Sequence, residues 1–394
     1  MDCDFGIPTT LLRFLGACVY GNAGDYYADL NEAGRAELEA QGKSFGMEAW
    51  FYRYLYDTLP EGKRAEYQKI YQSLQLKNMI SAQELKRLYK KLAASNLRFV
   101  PIKGADLAFR LYPDAALRVF GDWDIWFHPD DCERALETLA EDGWKVPKIF
   151  TADHEAVRMG EGHHFSPHVR GKMMLEPHFT LSRFLDVDPY ELWTYTLDYP
   201  AGDGQRILSP ELNLLMLARH ASSFSYYHAQ IPKLLTDSAM VMKENVDYGK
   251  LHDMVASWPF PYPGDLLAAF PDFFPPDKIM ALGADPVKSQ EFRNLFLLRG
   301  KLGSVRGVSM ILSRYEAKGQ IAGGILKRIR LHNPEMIRRM YHLPEQGARV
   351  RLLFAYVHWF WTGVRDASQW LLRKHGMRNY GRVVENLENN SGVR

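Results

Sequence analysis

The feature that most constrains the fold is an apolar segment, VFGDWDIWF at residues 119–127, that carries two aspartates. Its aromatic and aliphatic residues are typical of a buried strand. On a strand, side chains two residues apart point to one face, with alpha carbons about 6.5–7 Å apart. We therefore expect Asp122 and Asp124 to project together, while Trp123 and Ile125 pack on the opposite side.

Two carboxylates held side by side repel each other, and burying them is unfavourable unless a cation lies between them. Oxygen ligands of this kind suit Mg²⁺ or Mn²⁺ better than Zn²⁺. An Asp-x-Asp pair alone is a weak signal, since aspartates are common on exposed strands. The apolar neighbours of this pair favour a metal site over a solvated strand face.

A turn suited to phosphate binding precedes the acidic pair. A short apolar run, 97–102, ends at Lys103-Gly104 and is followed by a helical pattern over 105–112. The backbone at the N-terminus of a helix is a natural phosphate-binding position. Lys103 and Arg118 are candidates for neutralising a triphosphate there.

A third carboxylate is expected on a neighbouring strand, and Glu176 is the best candidate. It lies in an apolar, strand-like run, 172–179, where an acidic side chain is unfavourable unless it has a partner. The alternative is an acid at a strand end that faces water, because Pro177 indicates an edge strand or a strand end. His178 shares the face of Glu176 and either lines the site or is a hydrogen-bonded structural histidine.

A histidine-rich patch leaves a zinc site open as a less favoured alternative. Its members are Glu161, His163, His164, His168 and His178. The spacing is not that of a helical histidine pair with a general base, and Pro167 interrupts a helix there. The chain also lacks a G-x-S-x-G elbow and a G-x-x-x-x-G-K-[ST] loop, which argues against hydrolases and P-loop proteins of those classes.

Charge is unevenly distributed along the 394 residues, although the net charge is only +2. Residues 291–394 contain 19 Lys and Arg against 7 Asp and Glu, a net charge of +12, so residues 1–290 carry −10. This layout indicates an anionic partner or substrate. The basic quarter either binds RNA or another polyanion, or packs against the acidic part of the chain.

The pattern of elements predicts four regions. They are an N-terminal helical region, 1–95; an α/β core, 96–205; a helical region with a Pro-rich loop, 206–290; and a basic helical region, 291–394. Three scattered cysteines and an acidic N-terminus favour a reducing cytoplasm. The longest uncharged apolar stretch, 352–364, is too short to span a bilayer, so no integral membrane association is expected. The oligomeric state is not indicated.

The order of these motifs resembles the nucleotidyltransferases of the polymerase-β-like superfamily. The matching residues are Lys103-Gly104, Leu111-Tyr112-Pro113, Arg118-x3-Asp122-x-Asp124 and Glu176-x-His178. The nearest group is largely uncharacterised and has the same Lys-Gly turn. The resemblance covers residues 96–240, and its weaker downstream part includes His220 and Leu234-Leu235-Thr236-Asp237. Many superfamily members have Gly-Ser at the first turn, so the usual serine contact with phosphate is not expected here.

The resemblance implies an α+β fold, with a mixed β-sheet core flanked by helices. It implies transfer of a nucleoside monophosphate from an NTP, ATP among them, to a hydroxyl or phosphate acceptor. The implied catalytic residues and Mg²⁺ or Mn²⁺ ligands are Asp122, Asp124 and Glu176. The residues expected to contact the nucleotide are Lys103, Gly104, Arg118 and His178. The acceptor stays open among RNA, a protein or peptide hydroxyl and a small molecule. The alternative is a catalytically degenerate nucleotide- or RNA-binding module that uses the basic C-terminal region.

Overall fold

The computed structural model describes residues 8–147, 163–181, 187–199, 205–222, 231–258 and 262–302, with only the backbone of 221–222 and 295–302. The chain divides into two compact units, and the larger one comprises residues 8–147 and 155–289. Of the smaller unit, the structure describes residues 290–302, which are helical. Glu161 and nearly all of the basic C-terminal quarter therefore lie outside the described residues, and the predicted domain boundaries stay a prediction.

Five helices form the N-terminal region. They are α1 (Thr9–Tyr20), α2 (Ala23–Asp29), α3 (Glu32–Phe45), α4 (Glu48–Leu55) and α5 (Glu61–Ala94). The Asn22 side chain accepts hydrogen bonds from the backbone of Gly24 and Asp25, and so caps α2. The helices are amphipathic: the long α5, for example, buries Leu85, Leu88 and Leu92 at helical spacing.

A four-stranded mixed sheet forms the centre of the larger unit, as the predicted α+β fold requires. Its strands are β1 (Phe99–Ile102), β2 (Trp123–Phe127), β3 (His168–Arg170) and β4 (Met173–His178). Their order in the sheet is β1-β2-β4-β3. The β2–β4 pair is parallel, and the two outer pairs are antiparallel. Helix α6 (Gly104–Arg110) follows β1, and α7 (Cys132–Glu141) follows β2.

One face of this sheet forms the core with the helices. Trp123, Ile125 and Phe127 of β2 belong to one buried apolar cluster with Leu88 of α5 and Leu139 of α7. Burial of each large apolar side chain contributes about 1.5–3 kcal/mol. Because side chains alternate along a strand, Asp124 lies on the other face.

Strand β2 begins later than the sequence predicts, at Trp123 instead of residue 119. The preceding carbonyls are already engaged by side chains of α5. Lys77 Nζ donates to the Phe120 carbonyl at 2.9 Å, and Asn78 Nδ2 donates to the Arg118 carbonyl at 3.4 Å. These bonds hold the segment outside the strand ladder. Asp122 therefore precedes the strand, and strand alternation does not determine where its side chain points.

The remaining elements follow the sheet. They are α8 (Pro189–Trp193), β5 (Thr196–Asp198), β6 (Arg206–Leu208), α9 (Pro210–Ser222), α10 (Ile231–Val241), α11 (Tyr248–Ser257), α12 (Pro263–Ala268), α13 (Pro276–Ala281) and α14 (Pro286–Leu302). The segment predicted as a Pro-rich loop, 258–286, is instead partly helical. The helices α12, α13 and α14 each begin at one of its prolines. Proline suits the first helical position because its missing N–H is not needed there. In the described part of the chain, no helix combines the length and apolar character that a bilayer crossing needs.

Candidate functional site

Strand register brings three of the predicted site residues together. Asp124 of β2 pairs directly with Glu176 of the parallel β4, and His178 lies two residues further along β4. All three side chains therefore share the sheet face opposite to Trp123 and Ile125. One ligand atom from each of Asp124, Glu176 and His178 lies within 4.8 Å of the other two.

The Lys-Gly turn directs a cation at this group. Lys103 connects β1 to α6 with φ 53° and ψ −128°, a backbone conformation that costs a residue with a side chain about 1–3 kcal/mol. Its Nζ lies 2.8 Å from Asp124 Oδ1. At Gly104 an added Cβ would lie 2.5 Å from the Phe120 Cβ, so the turn admits only glycine without a shift of Phe120. The turn thus aims Lys103 at the acidic group through close packing.

Asp124 is a buried carboxylate held in its ionised form. Its Oδ1 also lies 2.9 Å from His178 Nε2, and since a carboxylate only accepts, that nitrogen carries the proton. Burial opposes ionisation, but the Lys103 charge and the His178 hydrogen bond outweigh it and hold the pKa of Asp124 well below its usual range. Burial lowers the pKa of His178, which favours the neutral imidazole.

Asp122 is not one of the three grouped ligands, in contrast to the expected Asp122–Asp124–Glu176 set. It is half-buried and precedes β2. Burial and then the Asp124 charge raise the pKa of Asp122, while Lys103 and Lys233 oppose that rise. The Asp124 charge therefore acts on Asp122. The role of Asp122 as a metal ligand stays a prediction.

Arg118, predicted to contact phosphate, is engaged by the protein itself. Its Nε and Nη2 lie 2.6 and 2.8 Å from the two carboxylate oxygens of Asp237 on α10. Tyr112 also donates a hydrogen bond to Asp237, at 2.7 Å. This buried network ties the segment before β2 to α10. A phosphate contact of Arg118 stays a prediction.

Most of the described histidine patch borders the same site. The rings of His163, His164 and His178 lie with their centroids 4.7–5.2 Å apart. His164 Nε2 lies 3.7 Å from Glu176 Oε2. His168 instead lies on β3, with its Nδ1 2.9 Å from the Ser166 carbonyl oxygen. Burial and then the neighbouring histidines lower the pKa of His163, which favours its neutral form.

The structure adds a lysine to the site that sequence reasoning missed. Lys233 lies in the first turn of α10, four residues before Asp237, and is half-buried. The Arg118 and Asp122 charges both act on it. Its spacing from Asp237 was the available signal, because residues four apart share a helix face. His220 on α9 is also close, since burial and then the Lys103 charge lower its pKa.

The donor set fits a divalent cation. Asp124 and Glu176 supply carboxylate oxygens, the ligands that Mg²⁺ and Mn²⁺ prefer. Burial and then the Asp124 charge raise the pKa of Asp122, and a cation beside the two carboxylates would oppose that rise. His178 must give up the proton that it donates to Asp124 before Nε2 can act as a ligand.

Comparison with known proteins identifies a family for this chain. The sequence model of a family described as uncharacterised nucleotidyltransferases matches residues 52–260, more than half of the chain. No curated protein and no solved structure matches the chain significantly. The matched range includes the sheet, the Lys-Gly turn and α10. The chain therefore belongs to this uncharacterised nucleotidyltransferase family.

Proposed function

We propose that the protein is a Mg²⁺- or Mn²⁺-dependent enzyme of the polymerase-β-like kind that moves a nucleoside monophosphate from an NTP to a hydroxyl or phosphate acceptor. The observation that carries this proposal is the direct pairing of Asp124 with Glu176 across parallel strands. Two acids at paired positions on one sheet face, with a lysine aimed at them, suit phosphate chemistry better than fold stability.

Asp124 and Glu176 would hold the cation, with Asp122 as an additional ligand. When bound, the cation lowers the pKa of an acceptor oxygen and offsets the charge that develops on the phosphates. Asp124 is suited to this role because Lys103 and His178 keep it ionised. The half-buried Glu176 is open enough to meet a substrate.

For a hydroxyl acceptor, the transfer is a substitution at the α-phosphorus. The acceptor oxygen forms a bond to that phosphorus while the bond to the oxygen bridging the β-phosphate breaks, and pyrophosphate leaves. Glu176 accepts the proton of the hydroxyl. Lys103 offsets phosphate charge next to Asp124, and the remaining rate enhancement comes from positioning and electrostatics.

The test uses α-labelled NTPs with Mg²⁺ or Mn²⁺ and candidate acceptors of each class. Wild-type protein is expected to transfer label, and the double variant Asp122→Ala/Asp124→Ala is not. The matched control is Asp198→Ala/Asp277→Ala, whose side chains are 88% and 72% exposed and belong to β5 and α13. The metal-site hypothesis is wrong if the site variant labels an acceptor as well as the wild type does.

The degenerate binding module is the alternative outcome. If wild-type protein labels no acceptor with any NTP but binds RNA, the basic C-terminal region becomes the functional part. That binding should weaken steeply as salt rises, because phosphate contacts release counterions.

A further inference from the structure

Lys233 is a partly buried cation that no carboxylate in the described part of the chain pairs with. Its ammonium forms no ion pair with any residue that the structure describes, although Arg118, Asp237, Asp122 and Lys77 all act on it electrostatically. Burial and then the Arg118 charge lower the pKa of Lys233. That is the direction expected of a cation whose surroundings do not compensate its charge.

The nearby carboxylates are already committed. Asp237 binds Arg118 through both oxygens, with distances of 2.6 and 2.8 Å. The Lys103 and Asp124 charges also act on Asp122, and a metal ion at the acidic group would attract its carboxylate further. With such an ion bound, the segment before β2 and the first turn of α10 would hold an excess of positive charge.

Helix geometry places Lys233 beside this excess. Lys233 and Asp237 are four residues apart on α10 and so lie on one helix face. Asp237 holds the Arg118 guanidinium, which thereby fixes that face against the segment that leads to Asp122. Lys103 approaches the acidic group from the β1–α6 turn.

We propose that Lys233 binds the polyphosphate tail of the nucleotide, and that Arg118, held by Asp237, is a positioning residue for this anion subsite. The proposal rests on the proposed function for the identity of the anion. An incoming polyphosphate would supply the counter-charge that Lys233 lacks, and charge-assisted hydrogen bonds of this kind are strong.

The test measures binding of inorganic tripolyphosphate to the full chain by calorimetry at fixed Mg²⁺. This probe needs no knowledge of the base or the acceptor. Lys233→Met is expected to weaken binding by about 10- to 100-fold, since a hydrogen bond to a charged group contributes about 1.5–3 kcal/mol. Lys233→Arg should restore most of the affinity because it keeps the charge.

The matched control is Lys243→Met, which removes one exposed lysine just beyond the end of α10. It should leave the tripolyphosphate affinity within about twofold of wild type, as expected for an exposed charge. Inorganic phosphate tests the other source of such an anion, a phosphate acceptor. The proposal fails if Lys233→Met lowers the affinity for inorganic phosphate as much as it lowers the affinity for tripolyphosphate. In that case the subsite does not belong to the polyphosphate tail.

Thermal unfolding separates loss of a ligand contact from loss of the fold. Removing an uncompensated buried charge should leave the melting temperature of Lys233→Met unchanged or raised. Equal tripolyphosphate affinity in Lys233→Met and wild type overturns the subsite, even if label transfer is observed. Conversely, Lys233-dependent binding without any label transfer retains the subsite and contradicts the proposed function.

Discussion

The two faces of the central sheet are formed by the same strands, but they differ in the polarity of their side chains around Asp124. On one face, Trp123, Ile125 and Phe127 are at most 3% exposed and belong to the buried apolar cluster. On the other, Asp124 and His178 are equally buried, yet they bond to each other and to charged groups. Period-two alternation thus places the apolar core and the candidate site one residue apart. Substitutions on the two faces should therefore separate loss of fold from loss of activity.

Asp124→Asn should have the largest effect. Label transfer is expected to fall by about 10³-fold or more, because the variant loses the ionised carboxylate of the proposed metal site. It also leaves the buried Lys103 without its partner, which costs about 3–5 kcal/mol of unfolding free energy. Single-turnover kinetics and urea unfolding measure the two losses.

The double variant Lys103→Met/Asp124→Asn separates these effects. It removes both members of the pair, so unfolding free energy should recover while label transfer does not. Recovery of transfer together with stability would show that Asp124 acts only through the fold.

Phe127→Ala tests the apolar face, and its expected loss of stability is comparable to that of Asp124→Asn. Phe127 is fully buried in β2, three residues from Asp124. The cavity should lower the unfolding free energy by about 3–5 kcal/mol. Label transfer per folded molecule should change little. A large loss of transfer in protein that is still folded would mean that the two faces are not independent.

Glu176→Gln keeps the shape of the polar face and removes one charge. Transfer is expected to fall by about 10²-fold, since a positioned proton acceptor contributes at least that much. Stability should stay close to wild type, because Glu176 is half-buried and its His164 contact is 3.7 Å long. The kcat for transfer and a urea midpoint are the measurements. Unchanged kcat would remove Glu176 from the proton transfer.

Gly104→Ala tests the Lys103-Gly104 turn between β1 and α6, and it has the smallest expected effect. The added Cβ would collide with the Phe120 Cβ. We therefore expect the unfolding free energy to fall by about 1–3 kcal/mol through overpacking. Gly121→Ala is the matched control, because nothing lies within 4 Å of its added Cβ. Equal melting temperatures for the two variants would show that Phe120 yields and that packing does not require glycine at this turn.

Local patterns predicted the parts of the site that depend on strand alternation. Asp124 opposes Trp123 and Ile125, and Glu176 shares a face with His178, as residue spacing requires. Local patterns also predicted an α/β part between helical regions, whereas the α+β fold with a mixed sheet came from the family resemblance. These features depend on neighbours within a few residues, and the sequence shows such neighbours directly.

Contacts between distant residues explain what sequence reasoning missed. Asn78 and Lys77 delay the start of β2, and nothing within 119–127 reveals them. Arg118 binds Asp237, which lies 119 positions further along the chain, and residue spacing gave no sign of this buried ion pair.

The amino-acid sequence alone determined which residues can carry chemistry, because residue type and strand periodicity are local properties. Tertiary packing decided which of them meet: Asp124 with Glu176 and His178, Lys103 with Asp124, and Lys233 beside Arg118 and Asp122. The physical reason is that charge compensation depends on distance in space. A short stretch of sequence cannot report which buried charge has found its partner and which one still lacks it.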